Sequence, residues 1–384
     1  MSGPPPVRLA LLGSRGIPAR YGGYETLMEE LSPRLVARGF AVTVYCRAPT
    51  NPRGLRTHAG AELVVLPTLR TKHLDTPVHM LVSALAARAR GFDVALVVNS
   101  ANALFLPLLR GAGIPVALHV DGIEKRRRKW GRLGRTVYAA SERLAATLPD
   151  ALITDAEVIR RHYLERYGAD SEVITYGVDP RPPAATGTLA ALGLAPRAYF
   201  LYVSRFEPEN NPHQVAAAYR AVGGELPLAM VGGAPYAGRF IRSFSAGADP
   251  RIRFPGPIYG DGYRELLSHA LAYVHATEVG GTHPALVEAM GYGNCLLVND
   301  TPENREVAGD TALYFSAAAP ASLTRLLEWV RAHPEAAAER GRAAAARAAQ
   351  RFHWEAVADR YAGLLGRLAG RQAGGPAPGP GQNS

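Results

Sequence analysis

Short apolar runs alternate along this chain with stretches whose apolar residues recur at helical spacing. Val7 to Leu12 reads as a buried strand, and Tyr24 to Arg38 as a helix that stops at Gly39. Further strands are read at FAVTVYCR (40–47), AELVVLPT (61–68), DVALVVNS (93–100) and PVALHVDG (115–122), with a helix over 77–91. DALITDAE (150–157) and SEVITYGV (171–178) carry the alternation to Val178. Such alternation predicts an open parallel sheet with helices on both faces.

From Asp179 to Arg197 the composition turns to DPRPPAATGTLAALGLAPR, the mark of a connection. A second alternating set follows: YFLYVSRF (199–206), a helix over Gln214 to Val222, LPLAMVGG (226–233), IRFPG (252–256), ELLSHALAYVHA (265–276) and PALVEAMGYGNCLLVND (284–300). The expected fold class is α/β, with two Rossmann-like domains whose parallel sheets face each other across a cleft. The expected boundaries are 1–180 for the first domain, 181–197 for a linker, 198–370 for the second domain with its terminal helix, and 371–384 for a disordered tail. Open sheets of this kind hold ligands at the carboxyl ends of their strands, so chemistry is sought in the loops there.

Three such loops carry unusual residues. After the first strand, Gly13, Gly16, Gly22 and Gly23 share a loop with Arg15, Arg20 and Tyr21. Glycines let backbone approach a ligand and amides opening a helix attract anions, so the loop is expected to face phosphate; an ordinary strand-to-helix turn also favours glycine. It contains neither a Walker sequence nor Gly-x-Gly-x-x-Gly, which disfavours a nicotinamide enzyme. The second loop, VSRFEPENNP (203–212), places Arg205 at a strand end, where its fork suits a diphosphate or a salt bridge to Glu207 or Glu209. In the third, Gly280 and Gly281 precede a helix starting near Pro284. Glu288 sits one turn inside that helix among apolar residues, where a carboxylate needs a partner or a ligand.

The formal charge of +10 implies anionic company: nucleic acid, phospholipid headgroups or a phosphorylated substrate. Most basic residues occur singly, but EKRRRKWGRLGR (124–135) is a cluster. Within it Lys125, Arg126, Arg127, Arg128 and Lys129, with Trp130 adjoining, are candidates to hold anionic headgroups or the diphosphate of a lipid-linked acceptor, against the alternative of a solvated helix face. Cys46 and Cys295, far apart, exclude a disulfide framework and a cysteine zinc site and suit the cytosol. No apolar run is long enough to cross a bilayer and the N-terminus lacks a leader pattern, so a soluble cytoplasmic protein is expected. Peripheral contact with the inner face of the membrane stays open.

Ser204-Arg205-Phe206-x-Pro208-Glu209-Asn210, followed by Gly-Gly-Thr-x-Pro-x-Leu-x-Glu-Ala-Met-x-x-Gly from Gly280, resembles retaining glycosyltransferase family 4, of GT-B fold. GSRGIPARYGGYET (13–26), KHLDTPVH (72–79) and HVDGIEKRRRKWGR (119–132) are similar to its bacterial rhamnosyltransferase-like subgroup. The resemblance implies that Glu288 holds a nucleotide ribose, Arg205 grips the donor diphosphate, and the loop FPGPIYG (254–260) receives the base at Ile258. It implies a dTDP- or UDP-sugar donor, with L-rhamnose from dTDP-rhamnose the favoured case, and a saccharide or lipid-linked acceptor in surface polysaccharide assembly. Amides of Gly280, Gly281, Thr282 and His283 and the Gly13–Gly16 loop join the donor site; Tyr21, Gly22 and Gly23 join the acceptor side.

Three positions depart from the family pattern. Asn210 stands where many members have a lysine, and Gly280 where many have the first glutamate of Glu-x7-Glu, with Glu278 two positions early. Asp121 occupies the place of a catalytic-site histidine, with His119 two positions before it as the second candidate. Retaining transfer without a clear nucleophile proceeds through an oxocarbenium-like state, with donors around the diphosphate lowering the barrier. No Asp-x-Asp motif is present, so neither metal nor other cofactor is expected. The alternatives are a nucleotide-sugar epimerase, which needs a nicotinamide site that the sequence does not display, and a basic nucleic-acid binder, which no aromatic-basic platform supports.

Overall fold

Two parallel sheets carry the chain. The structure, a computed structural model, describes residues 5–51, 54–69, 71, 74–127, 131–181, 186–234, 237–247 and 249–370, without the side chains of 126, 132, 133 and 135. The first sheet contains β1 (Val7–Leu12), β2 (Phe40–Arg47), β3 (Thr57–His58), β4 (Ala61–Leu66), β5 (Val94–Val98), β6 (Val116–Val120), β7 (Ala151–Thr154) and β8 (Glu172–Val173). Their order is β3-β4-β2-β1-β5-β6-β7-β8, with only β3 and β4 antiparallel. The second contains β9 (Phe200–Arg205), β10 (Leu228–Gly233), β11 (Ile252–Gly256), β12 (Ala272–His275), β13 (Cys295–Asn299) and β14 (Leu313–Phe315), in the order β11-β10-β9-β12-β13-β14 and parallel throughout.

The continuous apolar strands lie in the middle of each sheet, where helices cover both faces. β5 and β6 are buried from end to end, as is β13. In each sheet the chain builds outward on one side and then returns to build on the other. That reversal leaves a crevice at the carboxyl ends of β1 and β5 in one domain and of β9 and β12 in the other. A backbone bond joins the two crevices: Gly281 N–H donates to the Asp121 carbonyl at 2.8 Å.

The last helix, Trp354–Leu368, corrects the expectation that placed it in the second domain. Its stripe of Trp354, Val357, Ala358, Tyr361, Leu364 and Leu365 packs into the core of the first domain with Leu9, Leu31, Leu35 and Ile174. Residues at that spacing form one apolar face, and burying each large one contributes roughly 1.5–3 kcal/mol. Arg34 and Arg38 pair with Glu355 and Asp359 along its edge. Gly177 accepts the indole, since a Cβ there would lie 2.6 Å from the Trp354 ring. The connection read as a linker is partly structured as well. Its helix Thr188–Ala191 sends Leu189, with Leu194 beyond it, into the second domain's core.

Candidate active site

A cavity of about 720 Å³ opens where the two sets of strand ends meet. Tyr21, Gly22, Gly23, Asp121, Arg205, Asn210, Ile258, Gly280, Thr282, His283 and Glu288 all line it, brought from segments far apart in sequence. Gly13, Gly16, His119, Gly281 and Lys125 do not.

The second domain supplies one wall. Arg205 ends β9 and its guanidinium lies 5.7 Å from the Tyr21 ring centroid. Burial disfavours its charge, but Glu207, Tyr21 and Glu124 together outweigh that loss and keep the pKa raised. Among the described residues Arg205 has no carboxylate within ion-pair distance. Glu288, from the helix Pro284–Gly291, accepts from the Tyr263 hydroxyl at 2.7 Å, and burial raises its pKa to about 7. His275 and His283 face each other with ring centroids 4.9 Å apart, and burial pushes both below the usual range, His275 to about 3. Both rings are therefore neutral at pH 7 and can donate or accept hydrogen bonds.

The first domain supplies the other wall and corrects the reading of the opening loop. Gly13 and Gly16 have φ of +99° and +102°, and both face inward. A Cβ at Gly13 would lie 2.5 Å from the Val98 carbonyl, and one at Gly16 2.5 Å from Cys46 Sγ. These glycines are there for close packing within the domain, not to admit a ligand. Gly22 and Gly23 do reach the cavity, and Gly23 lies under Pro284 of the other domain, where a Cβ would sit 3.1 Å from its Cγ. The Tyr21 ring lies 3.6 Å beneath the Arg15 guanidinium.

Asp121 projects from the end of β6, where its Oδ1 accepts from the Tyr24 hydroxyl at 2.7 Å. Burial raises its pKa and Glu124 adds to the effect, while Arg127 opposes it. His119 is corrected to a packing residue. Its ring is fully buried among Tyr24, Tyr176 and Tyr361, Nδ1 is 2.5 Å from the Tyr361 hydroxyl, and burial lowers its pKa to about 3. In the basic run, Lys125 pairs with Glu142 at 2.8 Å. Arg126 belongs to a short 3-10 turn, its side chain outside the description, and Arg128, Lys129 and Trp130 lie outside the described residues.

The amides expected to cradle phosphate are partly committed elsewhere. Gly281 N–H serves Asp121, and Thr282 N–H donates to Asp155 Oδ2 at 2.9 Å while its hydroxyl donates to the Asp155 carbonyl at 2.5 Å. Asp155 is fully buried, and burial raises its carboxyl well above the usual range. Sequence reasoning did not single out Asp155, Tyr24 or Tyr263, and it read Arg127 only as one cation of the basic run. Nothing in the neighbours of Asp155, Tyr24 and Tyr263 marked them, because Thr282, Asp121 and Glu288, their partners, come from the opposite domain or from elements distant in the chain.

Comparison with known proteins agrees with this architecture. A model described as Glycosyltransferase Family 4 matches residues 21–181, and one described as Glycosyl transferases group 1 matches residues 192–347. The D-rhamnosyltransferase WbpZ of Pseudomonas aeruginosa is 26% identical over 220 residues, 55% of each protein, so the match spans about half the length of that relative. The sucrose-phosphate synthase of Thermosynechococcus elongatus superposes with a TM-score of 0.79 at 18% identity, covering 94% of this chain and 99% of that one. HepE of Anabaena, solved with UDP and glucose, superposes with a TM-score of 0.75 at 16% identity, covering 94% and 99%. A glycosyltransferase of Rickettsia africae superposes with a TM-score of 0.69 at 12% identity, covering 95% and 98%. Two family matches that together span both domains, on two facing parallel sheets, make this chain a glycosyltransferase of the GT-B fold.

Proposed function

We propose that this enzyme moves a sugar, with retention at the anomeric carbon, from a nucleoside diphosphate donor on the second domain to a saccharide or lipid-linked acceptor entering from the first. Support comes above all from one feature: Arg205 and Glu288 line the same cavity, one a cation with no described ion pair, the other a carboxylate able to accept from ribose hydroxyls. HepE, solved with UDP and glucose, supports a nucleotide-sugar donor for the shared fold. Ile258, on the loop after β11, would then meet the base.

In this mechanism the bond from C1 to the diphosphate oxygen breaks and its electrons pass to that oxygen. Arg205 opposes the charge growing there, the largest contribution a preorganised site makes. The acceptor oxygen attacks C1 from the face just vacated and gives its proton to the departing phosphate oxygen. Asp121, fixed by Tyr24, stands on the first-domain wall, where a carboxylate stabilises the positive charge on the ring. Contact between the domains keeps water away while this happens.

Rhamnose is the proposed sugar, supported by the rhamnosyltransferase-like segments and by the name of the Pseudomonas relative, and dTDP-rhamnose the proposed donor. That relative's name specifies D-rhamnose, so both enantiomers belong in the test. Surface polysaccharide assembly, catalysis without a metal, and a cytoplasmic site at the inner face of the membrane complete the proposal. No helix among the described residues is long and apolar enough to cross a membrane. A screen of dTDP-, UDP- and GDP-sugars, read by mass spectrometry for the released nucleoside diphosphate, tests the donor. Release of dTDP from dTDP-rhamnose, undiminished by exhaustive chelation, is expected; turnover of UDP-glucose with dTDP-rhamnose inert would refute the rhamnosyl assignment.

A further inference from the structure

Among the described residues six arginines line the cavity, and Arg127 is the one whose burial most needs explaining. It lies on the loop after β6 with 5% of its surface exposed. Its Nε donates to Glu124 Oε1 at 2.6 Å, and its Nη1 is 3.7 Å from Glu209 Oε1. Glu124 belongs to the first domain and Glu209 to the second, so the guanidinium crosses the cleft. Nη2 makes no bond among the described residues.

The place it reaches is informative. Glu209 is the immediate neighbour of Asn210, the residue that stands where a lysine was expected. Asn210 carries no charge, and its amide is turned inward, donating to the Arg205 carbonyl at 2.6 Å. The cation missing from the chain at 210 is thus matched by one brought beside it from the other domain.

A cation out of water persists only where nearby anions outweigh the loss of hydration. Around Arg127 the carboxylates of Glu124, Asp121, Glu209 and Glu207 do so, holding its pKa raised against burial. Arg127 in turn disfavours the charge on Arg205, and both disfavour a proton on His283. Two guanidiniums therefore act on the same stretch of cavity wall, a like-charge arrangement that a multiply charged anion relieves.

We propose that Arg127 binds the donor diphosphate as a second cation, delivered across the cleft in place of a lysine at 210. This rests on the reading that the cavity takes a nucleoside diphosphate donor. Its consequence is that the cation set is complete only while the domains touch. The second domain alone offers Arg205, and the first brings Arg127, so strong stabilisation of the leaving group coincides with exclusion of water.

The test is calorimetric binding of UDP, dTDP and GDP, each against its monophosphate, by wild type, Arg127→Gln, Arg127→Lys and the double variant Arg127→Gln/Asn210→Lys, with melting curves for each. Wild type is expected to prefer a diphosphate. Arg127→Gln should lose about tenfold to a hundredfold of that preference, the range of one charge-assisted hydrogen-bonded contact, with monophosphate affinity retained. Arg127→Lys should keep part of the preference, and lysine at 210 should restore part of it to the glutamine variant. An equal loss for monophosphate and diphosphate, or a diphosphate preference intact in folded Arg127→Gln, overturns the proposal. Failure of wild type to bind any of the three diphosphates would instead overturn the donor reading beneath it.

Discussion

Replacing Gly281 by alanine should wedge the two domains apart. A Cβ at this position would collide with Asp155 Oδ1 and lie 2.6 Å from Asp155 Cγ, against the 3.4 Å at which ordinary contact begins. Asp155 has little room to yield, being fully buried and fixed by two bonds from Thr282. The methyl therefore displaces the loop and breaks the bonds from Gly281 N–H to Asp121 and from Thr282 N–H to Asp155. Two such hydrogen bonds at about 1 kcal/mol each, with overpacking added, favour separation by about 2–4 kcal/mol. If turnover requires the joined arrangement, it should fall tenfold or more, since about 1.4 kcal/mol corresponds to each factor of ten. Nucleoside monophosphate affinity should change much less, because Arg205 and Glu288 both belong to the second domain, whereas diphosphate affinity should fall as Arg127 is withdrawn. Steady-state kinetics with donor varied, calorimetric nucleotide binding and small-angle scattering measure the three quantities. Adding Asp155→Ala removes the obstructing carboxylate and should recover part of the turnover. Wild-type turnover and an unchanged scattering profile in Gly281→Ala would refute this account of the domain contact.

Gly16→Val should lower the melting temperature of the first domain, its side chain forced against Cys46 at positive φ and costing about 1–3 kcal/mol; loss of transfer with unchanged melting would mean that the loop faces the ligand after all. Glu288 predicts a pH effect on stability. Its folded pKa of about 7 lies above the ordinary 4.5, so its contribution is fully present below about pH 4.5 and lost as pH rises through about 7. Glu288→Gln should flatten that part of the stability profile. Ribose hydroxyls favour the ionised carboxylate, so donor binding near pH 7 should also release a fraction of a proton. Calorimetry in buffers of different ionisation enthalpy detects that release, and the glutamine variant should lack it.

Much of the architecture could be read in advance because it is local. Runs such as Val94–Val98 and Val116–Val120 are apolar throughout, and Gly39 and Gly168 end helices at positive φ. The helix Arg132–Ala145 was hidden by the arginines and glycine at its start, and the short helix Gly238–Ser245 carries too few turns to announce itself. The assignment of Trp354–Leu368 erred because a helix displays an apolar stripe without saying which core will take it. Loops that meet a ligand and loops that meet another strand both need glycine, so Gly13 and Gly16 gave the same signal as Gly22 and Gly23. Arg127 was read only as one cation of a basic run expected on the acceptor side, because its place against Glu209 of the other domain is set by the fold and not by its neighbours in sequence. Asp155 went unnoticed because its partner, Thr282, lies in the other domain.

The central claim is that Arg205 stabilises charge that appears as the glycosidic bond breaks, whereas Glu288 holds the nucleotide throughout. Glu288→Gln should weaken nucleotide binding more than it slows bound turnover. The most direct test is the steady-state turnover of Arg205→Ala with the nucleotide-sugar varied to saturation. The account predicts that kcat falls on the order of a hundredfold, as for loss of one oxyanion donor, with lysine restoring only part of it. A normal kcat with only the donor KM raised would contradict it.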